Sequence, residues 1–176
     1  RLKKFISSFQ MLRRGDLCLL AAILLINVHA GTLDISRMIA AAAEMPLPGR
    51  TWALMGFILA VLIKQAVPPL GAWQRHARLG ASRIGFWISG ILMPVLGSYL
   101  LYRIVPLLLS TVAYQIALQG LSLSLFALIF LAAWINPDRN DRFIRLNALL
   151  ACFGLGAAAT PGTGFLGYYL VGMVLI

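Results

Sequence analysis

The chain has 176 residues, 61% of them apolar and only 11% charged, with a mean hydropathy of +0.89. A soluble domain carries about 25% charged residues, so this composition excludes a water-soluble globular protein and describes an integral membrane chain. The formal net charge of +10 does not make it a nucleic-acid binder, because the cations fall in short clusters between apolar runs instead of forming one basic face.

Six apolar segments follow in order, 17–30, 51–73, 84–102, 107–135, 146–160 and 165–176. A helix needs about 20 residues to cross a bilayer, so the first and fifth segments must draw on flanking Gly, Thr and Arg residues. The fourth is long enough to tilt. These segments predict an all-α polytopic membrane bundle with one broken helix, a single transmembrane domain over residues 1–176. Because the first residue is Arg and the last residues lie inside an apolar run, the chain is expected to be a piece of a longer subunit, truncated at both ends.

The basic clusters set an expected topology. Arg1, Lys3, Lys4, Arg13 and Arg14 form one, Arg75, Arg78 and Arg83 a second, and Arg139, Arg142 and Arg145 a third. Each is separated from the next by an even number of spans, which places residues 1–16, 74–83 and 136–145 in the cytoplasm. Residues 31–50 and 103–106 then face outward. Within 31–50, Asp34 or Ser36 is positioned to cap a short surface helix, and Pro46-Leu47-Pro48-Gly49 reads as the turn that ends it.

The second segment holds the most informative residues. Lys64 lies in a run from Trp52 to Trp73 that is otherwise free of charge, four residues before Pro68-Pro69. A lysine at the centre of a span costs about 2.5–3.5 kcal/mol to insert, and two prolines remove two backbone donors. A discontinuous membrane helix carrying a buried titratable base is the expected result, as in ion pathways. Burial disfavours an ammonium and a nearby carboxylate favours it, so a lysine between the two can be switched. Against this stands a lysine that snorkels or only pins packing. Thr51 is thirteen residues away, about 20 Å of helix, and that depth makes snorkelling difficult.

Ser89, Thr111, Tyr114 and Gln115 are candidate polar links in a water path, although such side chains more often bond neighbouring backbone. Gly56, Gly90, Gly97, Gly120, Gly154 and Gly156 are expected to permit close helix packing. Cys18 and Cys152 lie in apolar runs without metal-ligand spacing and are expected as reduced, packed thiols. His29 and His76 are solitary interfacial residues. No cluster has metal-ligand spacing and no nucleophile has a base beside it, so the chain by itself is read as non-catalytic, with no cofactor or metal of its own.

The stretch from Gly56 to Trp73 resembles the lysine-bearing broken helix of the antiporter-like membrane subunits. These are the large membrane subunits of respiratory complex I, of membrane-bound hydrogenases and of multisubunit cation/proton antiporters. Lys64, Ala66, Pro69, Leu70 and Trp73 match that family's pattern in register. Arg14-Gly15-Asp16 opens the first span, Gly31-Thr32-Leu33-Asp34 follows it, and Tyr99-Leu100-Leu101-Tyr102-Arg103 closes the third as in the family, so the matching order covers about the first 110 residues.

The resemblance implies proton translocation by Lys64 within a multisubunit membrane complex similar to NADH-quinone oxidoreductase. Other membrane subunits would be its partners in the cell inner (cytoplasmic) membrane, and redox cofactors would sit only on those partners. It leaves two alternatives: a subunit of a cation/proton antiporter or of an inorganic-carbon uptake complex, or a degenerate, non-conducting structural subunit. The chain departs from the family after Trp73, with Gln74-Arg75-His76-Ala77 in place of Leu-Pro-Asp-Ala. The family's next titratable positions fall near Ser89 and Pro94. The glutamate that the family pairs with the lysine is expected upstream of Arg1.

Overall fold

The computed structural model describes residues 2–71, 73–74, 87–88, 92–135 and 142–158. Regular structure among them is helical, in six elements: α1 (Leu2–Ala30), α2 (Ile35–Glu44), α3 (Leu47–Lys64), α4 (Met93–Leu109), α5 (Val112–Ile135) and α6 (Arg142–Ala158). The second basic cluster, Arg139 of the third, and the sixth apolar segment lie outside the described residues.

α1 ends where Gly31 turns left-handed (φ 63), a conformation glycine adopts without the Cβ clash other residues suffer. The Gly31 N–H still donates to Asn27 O at 2.8 Å. The chain then turns by 75° into α2. Asp34 caps α2, accepting from Ser36 N–H at 2.9 Å, while the Asp34 N–H donates to the Thr32 hydroxyl. The Gly-Thr-Leu-Asp stretch is thus a helix stop joined directly to a helix start. α2 lays Met38 and Ala42 on the bundle and leaves Ser36 and Arg37 exposed. Pro48 occupies the first turn of α3, where a missing N–H costs nothing.

α1 and α3 form the tightest pair, and small residues make it possible. A Cβ on Gly15 would lie 3.0 Å from Ile63 Cγ2, and one on Gly56 would lie 3.0 Å from both the Ala22 Cβ and the Cys18 carbonyl oxygen. Residue 15 therefore sits by residue 63 and residues 18 and 22 by residue 56, an antiparallel register with α2 at one end and Lys64 at the other. Without a hydrophobic drive between helices in lipid, such close van der Waals contact is what holds them together.

α4 packs on the other side of α3, again antiparallel, with Gly97 against Gln65 and Lys64. From sequence, residues 103–106 are expected as an outward loop, but α4 runs through them to Leu109. Leu101, Ile104, Val105, Leu107 and Leu108 continue one buried face, and that face outweighs the hydrogen bond lost at Pro106, whose ring is exposed. The turn comes instead at Ser110-Thr111, with the Ser110 hydroxyl donating to Leu107 O at 2.7 Å. α5 and α6 close the bundle as an antiparallel pair, the Ser122 hydroxyl donating to Cys152 O at 2.6 Å.

The core runs through α1–α4 as Ala22, Ile26, Phe57, Val61, Leu101 and Leu108, and a second cluster joins Val67 to Ile129, Ala148, Ala151 and Cys152. The outside is equally apolar: Leu17, Val28, Trp52, Leu123 and Phe130 are all exposed, as a surface facing hydrocarbon requires. α3 and Val112–Leu131 are each long and apolar enough to cross a membrane, and the α1–α2 pair passes the same test when taken together.

Gly56→Leu is expected to wedge α1 from α3 and lower stability by about 1–3 kcal/mol, read as a fall in the thermal midpoint of the detergent-solubilised protein. Gly120→Ala, with open space around its Cβ, is expected to hold or raise that midpoint, since alanine favours a helix over glycine by about 1 kcal/mol. Equal losses at both positions would contradict the packing described.

Candidate functional site: the broken end of a lysine-bearing helix

α3 stops at Lys64, four residues short of the first proline. Ala66 is left-handed (φ 55). Its N–H donates to Ile63 O at 3.1 Å, and the Val67 N–H reaches back five residues to Leu62 O at 3.0 Å. This pair of bonds is the Schellman helix stop, and the Val67–Leu62 contact is the apolar clasp that accompanies it. Glycine usually fills the left-handed position. Alanine holds it here, fully buried.

Two further residues lock the break. The Trp73 indole N–H donates to Ile63 O at 2.7 Å, and the ring is buried. A Cβ on Gly71 would fall 1.9 Å from the Ala66 carbonyl oxygen, so only glycine lets the returning chain pass. Pro68 and Pro69, joined by a cis bond and exposed, fill the turn between. The prolines thus follow a helix end that the backbone bonds of Ala66 and Val67 have already made. The small residue two places after the lysine and the tryptophan nine places after it have distinct jobs: one takes the left-handed turn, the other caps the last carbonyls.

The Lys64 ammonium lies 2.6 Å from Asp16 Oδ1 on α1, with 14% of the lysine side chain and 61% of the aspartate side chain exposed. The close approach at Gly15, next to Asp16, brings the two together. Asp16 was not expected in this role from sequence, since 48 residues separate it from Lys64. One signal was available: the other four acidic residues, Asp34, Glu44, Asp138 and Asp141, all lie outside the apolar segments and Asp16 borders one.

On the opposite side, the Gln65 amide nitrogen donates to the Ser98 hydroxyl at 2.9 Å, and that hydroxyl donates to Pro94 O at 3.0 Å. Both side chains are fully buried. A Cβ on Gly97 would lie 2.7 Å from Gln65 Cγ and 3.2 Å from Lys64 Cβ, which shows how tightly α4 seats on the break.

The other expected polar links are elsewhere. The Tyr114 hydroxyl shares a 2.9 Å hydrogen bond with the Thr51 hydroxyl, at the first turns of α3, and the Arg50 guanidinium lies 5.5 Å over the Tyr114 ring. Arg50 also donates to Ala43 O at 2.7 Å, closing the end of α2. The Gln115 amide donates to Leu109 O at 3.0 Å, and the Thr111 carbonyl accepts from Tyr114 and Gln115. Thr111, Tyr114 and Gln115 therefore gather at the end of α3 opposite Lys64. Ser89 lies outside the described residues. An apolar cleft of about 550 Å³ between α1, α3 and α5, lined by residues such as Cys18, Trp52, Gly56 and Leu121, contains none of the candidates. Among the described residues no three His, Cys, Asp or Glu side chains are grouped to hold a metal.

Compared with known proteins, residues 5–141 match the family described as NADH:quinone oxidoreductase/Mrp antiporter, TM, well over half of the chain. No curated protein and no solved structure matches it.

The helix stop generates a direct expectation. Ala66→Gly relieves the left-handed turn and should leave the thermal midpoint unchanged or higher. Ala66→Val places a β-branched side chain in a left-handed, fully buried position and should cost about 1–3 kcal/mol. A Val form as stable as the Gly form would mean that the turn is not built as described.

Proposed function

We propose that this chain, which belongs to the NADH:quinone oxidoreductase/Mrp antiporter family of membrane subunits, translocates protons, with Lys64 as the carrier and Asp16 as its charge partner. The observation that carries this reading is the 2.6 Å ion pair at the broken end of a membrane helix. In a medium of low dielectric such a pair responds strongly to its surroundings. Neutralising or withdrawing Asp16 removes the charge partner that lies 2.6 Å from the ammonium. The lysine then yields its proton. A structural lysine needs none of this, and the two roles separate under substitution.

The family is one of multisubunit complexes, so membrane subunits are its partners. We further propose that the driving energy comes from a redox module on those partners, as in a respiratory NADH-quinone oxidoreductase, and that flavin, iron–sulfur and nicotinamide groups sit there. An ion-gradient-driven antiporter or a carbon-uptake complex would use the same pair with a different driver. The proposed setting is the cytoplasmic membrane, with the basic start of α1 and residues 74–83 and 136–145 inside. Single cysteines placed at Glu44 and at Arg78 should label from outside and from inside respectively in intact cells. Labelling of position 78 from outside would reverse the orientation.

The decisive measurement is proton uptake in vesicles, normalised to assembled complex. Lys64→Met should lower uptake by at least about tenfold. Lys64→Arg should fail as well, although it can still pair with Asp16, because arginine does not release its proton in proteins. Asp16→Asn should lower uptake in the same way, and the double replacement should be no worse than either single one. Normal uptake by the Arg form would identify Lys64 as a structural cation and remove the proposed carrier.

A further inference from the structure

Gln65 follows directly on Lys64, is fully buried, and uses only one end of its amide. The nitrogen donates to the Ser98 hydroxyl. The Ser98 proton is committed to the Pro94 carbonyl, so the hydroxyl has none to return. The other end, Oε1, is buried without a hydrogen-bond partner among the described residues. Turning the amide over would exchange an unused acceptor for an unused donor, so one end stays open in either orientation. Buried polar atoms are satisfied by protein or by ordered water, and the exceptions need a reason. An apolar side chain of similar length could fill the same space without this defect. The stems of Gln65 and Lys64 share one packed junction, where a Cβ on Gly97 would lie 2.7 Å from Gln65 Cγ and 3.2 Å from Lys64 Cβ.

We propose that Gln65 is the water-binding residue of the junction between α3 and α4, its Oε1 holding an ordered water that takes the proton released by Lys64. The second half rests on the proton-carrier reading of Lys64, and the first half does not. In the transfer, a Lys64 N–H bond breaks, its electron pair stays on nitrogen, and a lone pair of the water oxygen takes the proton. Gln65 does not change protonation state. It is a positioning residue: its carbonyl fixes the water by accepting one O–H and leaves the oxygen lone pairs free to receive. Ser98, by holding the amide nitrogen, aims the carbonyl. Gln65 thereby supplies, at the break itself, a hydrated step where the family's next titratable positions fall near Ser89 and Pro94.

An experimental structure of the assembled complex, at a resolution that shows waters, tests the site. A water within about 3 Å of Gln65 Oε1 is expected, and a dry contact or a protein donor in that place overturns the proposal. Transport tests the role. Gln65→Leu should lower proton uptake by at least about tenfold at unchanged assembly, and Gln65→Asn, which keeps the carbonyl one methylene back, should restore much of it. Wild-type uptake by the Leu form overturns the relay. If the Leu form does not assemble, the wild-type water position and the Asn form's uptake decide. Should Lys64→Arg pump normally while the water is present, the carrier reading fails and the hydration site stands. A dry Oε1 with a failing Arg form gives the reverse.

Discussion

The left-handed turn at Ala66 is the constraint on which the centre of this molecule depends. It lets the Val67 and Ala66 N–H groups fold back onto Leu62 and Ile63, so the helix ends inside the bundle with its carbonyls satisfied. In lipid no water reaches an unsatisfied backbone group, which then costs on the order of several kcal/mol. A helix can therefore stop at membrane depth only where something caps it. Ala66, Val67 and the Trp73 indole do so together, and Gly71 makes room for the chain to return. Lys64 is the last residue before that stop, which puts its charge at the capped end of the helix.

The ion pair depends on a second constraint, the approach of α1 to α3. Glycines 15 and 56 remove the side chains that would hold these helices apart, and their register puts Asp16 level with Lys64. The lysine is mostly enclosed while the aspartate is mostly open. The pair is thus asymmetric: desolvation falls mainly on the cation, and the carboxylate remains within reach of anything that docks against α1. That asymmetry separates it from a fully buried structural salt bridge, which has no route for its charge to change.

Polar side chains fall at two levels along α3. The Arg50, Thr51 and Tyr114 group ties the start of α3 to α2 and α5, while Asp16, Lys64, Gln65 and Ser98 surround its end. Between them α3 presents only apolar residues and Gly56. The first group is anchored in side-chain and backbone bonds that fix where the bundle begins. The second contains the one ion pair at the break and the amide with an open end.

The sequence by itself determined the class of molecule, because 61% apolar residues arranged in long runs leave a membrane helix bundle as the way to satisfy the backbone. It also pointed to a broken helix beside Pro68-Pro69, since two prolines remove two backbone donors, while the stop directly after Lys64 came from the backbone bonds of Ala66 and Val67. The surface helix at 35–44 was legible from Asp34 and Ser36 for the same local reason. What the tertiary structure decided was every relation across the bundle. Lys64 and Asp16 meet through helix register, which no local pattern encodes. Gln65 and Ser98 meet because Gly97 lets α4 seat directly against the break. Thr111, Tyr114 and Gln115 part from Lys64 because the turn at Ser110-Thr111 returns the chain to the opposite end of α3. Local signals fix where helices start and stop. Which side chains share a level follows from close packing between helices, and that depends on distant residues at once.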